Sequence, residues 1–172
     1  MDTNGKITLA QKGDDNAFYE LISERNVQLY KTAYAYVKNK EDALDIVSDT
    51  VYKAYISIKK LKDPSLFNTW LTRILINTSL DCINKSSRVE SFKENINSEV
   101  YEIPKDDEQI IDLKTAVDKL QGKYKTIVIL KYFQDMTLMD IAKTLQCPIG
   151  TVKTNLHKAL EELRLDFKEE LL

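Results

Sequence analysis

The chain has 172 residues, 43% of them hydrophobic, which is enough apolar content for packed cores and excludes a disordered protein. Its formal net charge of −2 and pI near 5.6 exclude a strongly basic polyanion binder, and its length suits one large or two small domains. Gly and Pro number only 4 and 3, as expected of an all-α fold.

The opening MDTNGKITLAQKGDD has no apolar run of signal-peptide length, and residues 1–15 read as a flexible N-terminus. No later stretch has the length of a membrane span, so the expectation is a cytoplasmic protein with no direct membrane insertion. Cys82 and Cys147 form neither a metal-ligand spacing nor a disulfide framework.

The first helix predicted follows Asp14-Asp15 and uses Ala17, Phe18, Leu21 and Ile22. A second carries Val27, Leu29, Tyr30, Ala33, Tyr34, Tyr36 and Val37. A third starts at Glu41 and repeats Ala43, Val47, Val51, Ala54, Ile58 and Leu61 at spacings of three and four. Its outer face shows Asp42, Asp45, Asp49 and Lys53, which suits a solvated surface or a docking surface for a basic partner.

After a loop at Lys62-Asp63-Pro64-Ser65, a fourth helix runs from Phe67 to Arg88. Phe67, Trp70, Leu71, Ile74, Leu75, Leu80 and Ile83 supply its apolar positions. Asn68, Thr69, Arg73, Asn77, Asn84, Lys85 and Arg88 supply amides and cations. Aromatic and amide groups beside cations are suited to holding unpaired bases, although a lone Trp70 at helical spacing fits a core position better.

Ser86–Glu108 is polar, continues no helical face and ends in Pro-Lys-Asp-Asp, so a domain boundary falls here. Residues 1–88 carry 13 basic against 11 acidic side chains, residues 89–108 carry 2 against 7, and residues 109–172 carry 10 against 9. The acidity is thus concentrated in a linker over 89–108, between a first domain over 16–88 and a second over 109–172. Because phosphate neutralisation supplies much of the affinity for DNA, such a chain is expected to bind free duplex weakly without a partner.

In the second domain Thr126–Leu130 is strand-like by propensity, but Tyr124, Ile127, Val128, Ile129, Tyr132 and Phe133 recur at helical spacing. Thr137 and Asp140 form a capping-box pattern, and Leu138, Ile141, Ala142 and Leu145 give a short helix one apolar face. Gln146-Cys147-Pro148 breaks it, with Pro148 suited to the start of a new helix. That helix buries Val152, Leu156, Ala159, Leu160 and Leu163. Its other face carries Gly150, Thr151, Lys153, Thr154, Asn155, His157 and Lys158. Small, amide and basic side chains reach phosphates and base edges, which makes this a candidate helix-turn-helix. An ordinary amphipathic hairpin with a solvated polar face also satisfies the periodicity; the tight turn and short first helix favour DNA. His157 has no Cys, Asp or Glu at ligand spacing, so no metal is expected. Without a Gly-rich phosphate loop or a nucleophile–base pair, neither an enzyme, a cofactor nor a small-molecule substrate is expected.

These residues resemble the extracytoplasmic function (ECF, group IV) sigma factors of the sigma-70 family of bacterial RNA polymerase. Asp42-Ala43-Leu44-Asp45-Ile46-Val47-Ser48-Asp49-Thr50-Val51-Tyr52 is similar to the D-A-x-D-hydrophobic-V-Q-acid-x-F stretch. Phe67-Asn68-Thr69-Trp70-Leu71, with Ile74, Asn77 and Asp81, resembles F-x-x-W-L-x-x-I-x-x-N-x-x-x-D. Leu120–Phe133 resembles the L-P-x-x-x-R-x-V-hydrophobic-x-L opening of the second domain. Ile141 to Leu163 resembles I-A-x-x-L-x-x-P-x-G-T-V-K-S-R-L-x-R-A. The order is kept over nearly all of residues 16–165. Ser48 replaces the usual Gln, Gln121 the common Pro and Lys125 the common Arg, while Asn84 and Asn155 stand where Arg is frequent.

The resemblance implies an all-α protein of two small helical domains joined by an acidic flexible linker, the second containing the helix-turn-helix. It implies polymerase binding through Asp42, Asp45, Ser48, Asp49, Tyr52 and Lys53 on the clamp of the β′ subunit, with the second domain on the β-subunit flap. It further implies capture of single-stranded −10 bases by Lys62, Asp63, Asn68, Trp70, Arg73, Asn77, Asn84, Lys85 and Arg88. Gly150, Thr151, Lys153, Thr154, Asn155, His157 and Lys158 would enter the −35 major groove. The implied partners are core RNA polymerase, promoter DNA and a membrane-anchored anti-sigma factor that responds to an envelope signal. The alternative is a stand-alone helix-turn-helix regulator, for which the chain lacks a sustained heptad seam.

Overall fold

The computed structural model describes the backbone of residues 2–93 and 116–169, and side chains over 2–85 and 116–165. The described residues are mostly helical and contain no strand, and the chain divides into two compact units with the break in the main chain after Val89.

The first unit starts with a helix where a flexible segment was expected. Helix α1 (Thr3–Gln11) opens at Asp2, whose carboxylate accepts the Gly5 N–H at 2.9 Å, and it buries Ile7 and Ala10. Lys6 bridges from it to Glu20 on α2 (Asp15–Ser23) at 2.9 Å and to Glu24, the residue that closes α2, at 2.7 Å. The turn between them passes through Gly13 at φ 98°, a conformation that glycine alone adopts cheaply. Asp14 caps α2 by accepting the Ala17 N–H. Too few apolar residues lie in α1 to mark a face in sequence; its helicity comes from docking Ile7 in the core.

Helix α3 (Asn26–Val37) ends on Lys38 in the left-handed conformation, whose N–H reaches the Tyr34 carbonyl at 2.8 Å. Asn39 then accepts the N–H groups of Glu41 and Asp42, and Glu41 and Asp42 place negative charge on the first turn of α4 (Lys40–Ser57). The expected apolar stripe of α4 goes inward at Ala43, Val47 and Ala54, joined by Ile46. Its last turn tightens into a 3₁₀ segment at Ile58–Lys60, and a second 3₁₀ turn at Pro64–Leu66 leads into α5 (Phe67–Lys93). Phe67, Leu71 and Leu75 of α5 close the core with Leu21, Leu29 and Ile46. The backbone of α5 continues past the boundary expected at residue 88. From residue 94 on, the expected linker over 89–108 lies outside the described residues.

The second unit opens with a helical turn at 116–119 and α6 (Gly122–Val128), which passes into a π-helical turn at Ile129–Phe133. The Gln134 N–H reaches back five residues to the Ile129 carbonyl at 3.2 Å. The β-branched run is helical because Ile127, Val128 and Ile129 are all buried, so packing overrides local propensity. Helix α7 (Leu138–Leu145) and α8 (Ile149–Glu169) follow, with Tyr124 and Val128 of α6 sharing a core with Ala159 and Leu163 of α8.

Candidate nucleic-acid and polymerase interfaces

On α4 the carboxylates recur at spacings of three and four, so Asp42, Asp45 and Asp49 form one row, the latter two exposed and Asp42 half-buried. The row runs alongside α5. Burial pushes the Cys82 thiol above its ordinary pKa, and the charges of Asp42, Asp45 and Asp49 push the same way against Lys85. Beside this row stands an apolar stripe, with Leu44 49% and Tyr52 64% exposed. An open depression lined by Phe18, Asn26, Val47, Ser48, Val51, Tyr52 and Tyr55 continues it. The Ser48 hydroxyl is turned to its own helix and donates to the Leu44 carbonyl. Tyr55 donates to Asp15 at 2.7 Å, which fixes α4 against the start of α2 and raises the phenol pKa. Lys53 is the expected face residue that the structure puts to another use: its ammonium donates to Thr78 at 3.1 Å and ties α4 to α5.

The loop before α5 exposes Lys62 and Asp63, and the Asp63 carboxylate accepts the Ser65 N–H at 2.9 Å, an Asx turn that sets the entry into the helix. Trp70 is half-buried. Its ring lies 5.8 Å from that of Phe67 and packs against the core, so part of the indole is structural and part remains accessible. Trp70, Arg73, Asn77 and Asn84 follow helical spacing along one side of α5, with Asn77, Asn84 and Lys85 exposed. Arg88 continues that register on the backbone of α5.

Two residues of this region escaped the sequence reading. Gln11 of α1 donates its amide to the carbonyls of Ile58 at 3.2 Å and Leu61 at 2.6 Å, bracing the start of the loop. Arg25 donates to the Asn68 side chain at 2.7 Å, and its guanidinium lies 5.3 Å over the Phe67 ring. Both contacts join residues more than forty positions apart, and no local pattern marks them.

The helix-turn-helix is built by its caps. The Thr137 hydroxyl oxygen accepts the Asp140 N–H at 3.1 Å and the hydroxyl donates to the Asp140 carboxylate at 2.7 Å. At the other end of α7, Gln146 takes φ 53° and the Cys147 N–H reaches the Ala142 carbonyl at 3.1 Å, the Schellman closure of a helix. Pro148 stands just outside α8, its carbonyl accepting the first N–H groups of that helix. Val152 and Ala159 are fully buried and Leu163 nearly so, as the sequence pattern requires, while Leu156 and Leu160 are half-buried. The opposite face exposes Gly150, Thr151, Lys153, Thr154, His157 and Lys158, with Asn155 half-buried at its margin. A Cβ on Gly150 would meet nothing within 4 Å, so packing does not demand that glycine. His157 pairs with Glu161 at 3.4 Å, and among the described residues no cluster of His, Cys, Asp and Glu could hold a metal.

The described residues thus form two helical units, one with a capped helix-turn-helix and the other with an exposed, acidic and partly apolar face on α4, the class of fold in which helix-turn-helix DNA readers are found. Comparison with known proteins places it. Residues 21–89 match the family description Sigma-70 region 2, and residues 110–163 match Sigma-70, region 4. RNA polymerase sigma factor SigV of Bacillus subtilis (strain 168) is 33% identical over 149 residues, covering 87% of this chain and 90% of that protein. ECF RNA polymerase sigma factor SigW of the same organism is 28% identical over 181 residues, covering 95% and 96%. CnrH, solved in complex with the cytosolic domain of CnrY, superposes with a TM-score of 0.76 at 20% identity, covering 97% of each chain. The sigma factor RpoE from Bartonella quintana, solved with the anti-sigma factor NepR, gives 0.71 at 23% identity, covering 87% of this chain and 97% of that one. The chain belongs to the sigma-70 family, among the ECF sigma factors, which direct RNA polymerase to promoters. The stand-alone regulator is not favoured, because both sigma regions are present in order.

Proposed function

We propose that α4 docks on the clamp of the polymerase β′ subunit through Asp42, Asp45 and Asp49, with Ser48 and Tyr52 packing beside them. Lys53 contributes by holding α4 to α5 through Thr78. The loop from Lys62 and Asp63 to Asn68, with Trp70, Arg73, Asn77, Asn84, Lys85 and Arg88 along α5, captures separated non-template bases of the −10 element. The second unit sits on the flap of the β subunit and lays α8 in the −35 major groove. There Lys153 and Lys158 meet phosphates, and Thr154, Asn155 and His157 reach base edges, with Gly150 and Thr151 at the entry. The acidic linker over 89–108 threads near the RNA exit path as a nucleic-acid mimic. The chain works in the cytoplasm, where a membrane-anchored anti-sigma factor covers its polymerase-binding surfaces until an envelope signal releases it. Among the described residues no helix is long and apolar enough to cross a membrane.

The observation that carries this reading is the α4 surface: a carboxylate row beside exposed Leu44 and Tyr52 repels DNA and fits a basic protein. Titration of labelled chain with core polymerase tests it. The double substitution Asp45→Lys with Asp49→Lys weakens binding by more than about tenfold, since like charge then faces a basic surface. Unchanged affinity would move the docking face elsewhere.

A further inference from the structure

We infer that Arg25 is a specificity-determining positioning residue, which fixes the Asn68 amide so that its NH2 group is presented to an unpaired −10 base; this rests on the sigma reading above. The orientation follows from donor chemistry. A guanidinium has only N–H donors, so the Asn68 atom that meets Arg25 Nε at 2.7 Å must be the carbonyl oxygen Oδ1. With the oxygen turned toward Arg25, the Nδ2 protons lie on the side of the amide away from it and are the donors that this exposed side chain offers outward.

An isolated hydrogen bond on a surface would fix little, but Arg25 is itself held. Its Nη1 donates to the Leu21 carbonyl at 3.0 Å and lies 3.4 Å from the Glu24 carboxylate. The guanidinium also lies 5.3 Å over the ring of Phe67, which is almost completely buried and directly precedes Asn68. The Arg25 side chain is only 21% exposed, so its rotamer is set before any ligand arrives. The fixed amide accordingly prefers a base that presents an acceptor at that place and rejects one that presents a donor there.

Holoenzyme made with full-length chain is tested on a promoter pool randomised through the −35 and −10 elements, with transcripts sequenced. Wild type enriches particular bases at several −10 positions. Asn68→Asp keeps a partner for Arg25 but has no NH2 group, whereas Arg25→Met keeps an apolar stem over Phe67 and releases the amide. Both variants flatten enrichment by about fivefold at the same single position and leave the other positions unchanged. No change at any position, or a uniform fall at all of them, would overturn the inference in favour of a structural or phosphate contact. Flattening by Asn68→Asp alone would remove Arg25 from the account. If wild-type holoenzyme enriches no base anywhere, the sigma reading fails first and this inference falls with it.

Discussion

Gly150 sits exposed in the first turns of α8 with open space where a Cβ would stand, so the fold gains nothing from the glycine. Gly150→Ala is expected to leave stability unchanged or to raise it by less than the helix-interior difference of about 1 kcal/mol, because Gly150 is the second residue of α8, while weakening −35 duplex binding if the backbone there approaches phosphate closely, as proposed. Thermal melting and promoter binding read the two effects separately; a variant that keeps both its stability and its affinity would show that no such approach occurs. On the same face, Asn155→Ala is expected to cost about 1–3 kcal/mol and relax preference at one base pair, whereas Lys153→Ala weakens all sequences alike and lowers the salt slope by about one. Cys82 gives a pH-dependent check. Burial, with Asp42 next, raises its pKa, so the fold favours the neutral thiol. That contribution is fully present below the unfolded pKa and is lost as pH rises through the folded value. Native Cys82 should therefore be alkylated more slowly than Cys82 of the urea-unfolded chain at the same mildly alkaline pH, with the sites resolved by mass spectrometry. Equal rates would place the thiol in an ordinary environment.

At the scale of elements, α1 has the most to prove. Ile7 is fully buried, so Ile7→Ala should destabilise the full-length chain by about 2–5 kcal/mol in urea unfolding; a free N-terminal tail would show no change. Gln146 holds a left-handed conformation without being glycine, and Gln146→Gly should relieve about 1 kcal/mol at the α7–α8 turn, read by the same unfolding experiment. Loss of stability there would mean that the Gln146 side chain has a structural role. The helices α2, α4, α5 and α8 were legible because an inward stripe at three- and four-residue spacing is a local property of the chain. Helix α1 was not, since Ile7 and Ala10 matter only once α2 and the core exist. The strand-like run Thr126–Leu130 was legible as helix only through its neighbours, because its β-branched residues pack inward. The same distinction separates the candidate site residues. The Asp42, Asp45, Asp49 row and the α8 polar face follow from periodicity. Arg25 on Asn68, Gln11 on Ile58 and Leu61, and Lys53 on Thr78 depend on tertiary placement that periodicity does not encode.

Over the whole molecule, the charge distribution and the division into two units belong together. Basic and acidic residues nearly cancel in residues 1–88 and 109–172, and the acidic excess falls at 89–108. With so little positive charge, counterion release is expected to supply little of the binding free energy, and the chain by itself is expected to hold duplex DNA weakly. A sigma factor can have this composition because polymerase contributes the remaining positive surface and the scaffold that engages two promoter elements at once. Tethering both contacts in one complex multiplies affinity without new contacts in either unit. The most direct measurement is fluorescence anisotropy of a promoter fragment with a premelted −10 region, with and without core RNA polymerase, against non-promoter DNA at one fixed salt concentration. The account predicts promoter-selective binding that appears only with core. Selective binding by the chain alone, unchanged by core, would contradict it.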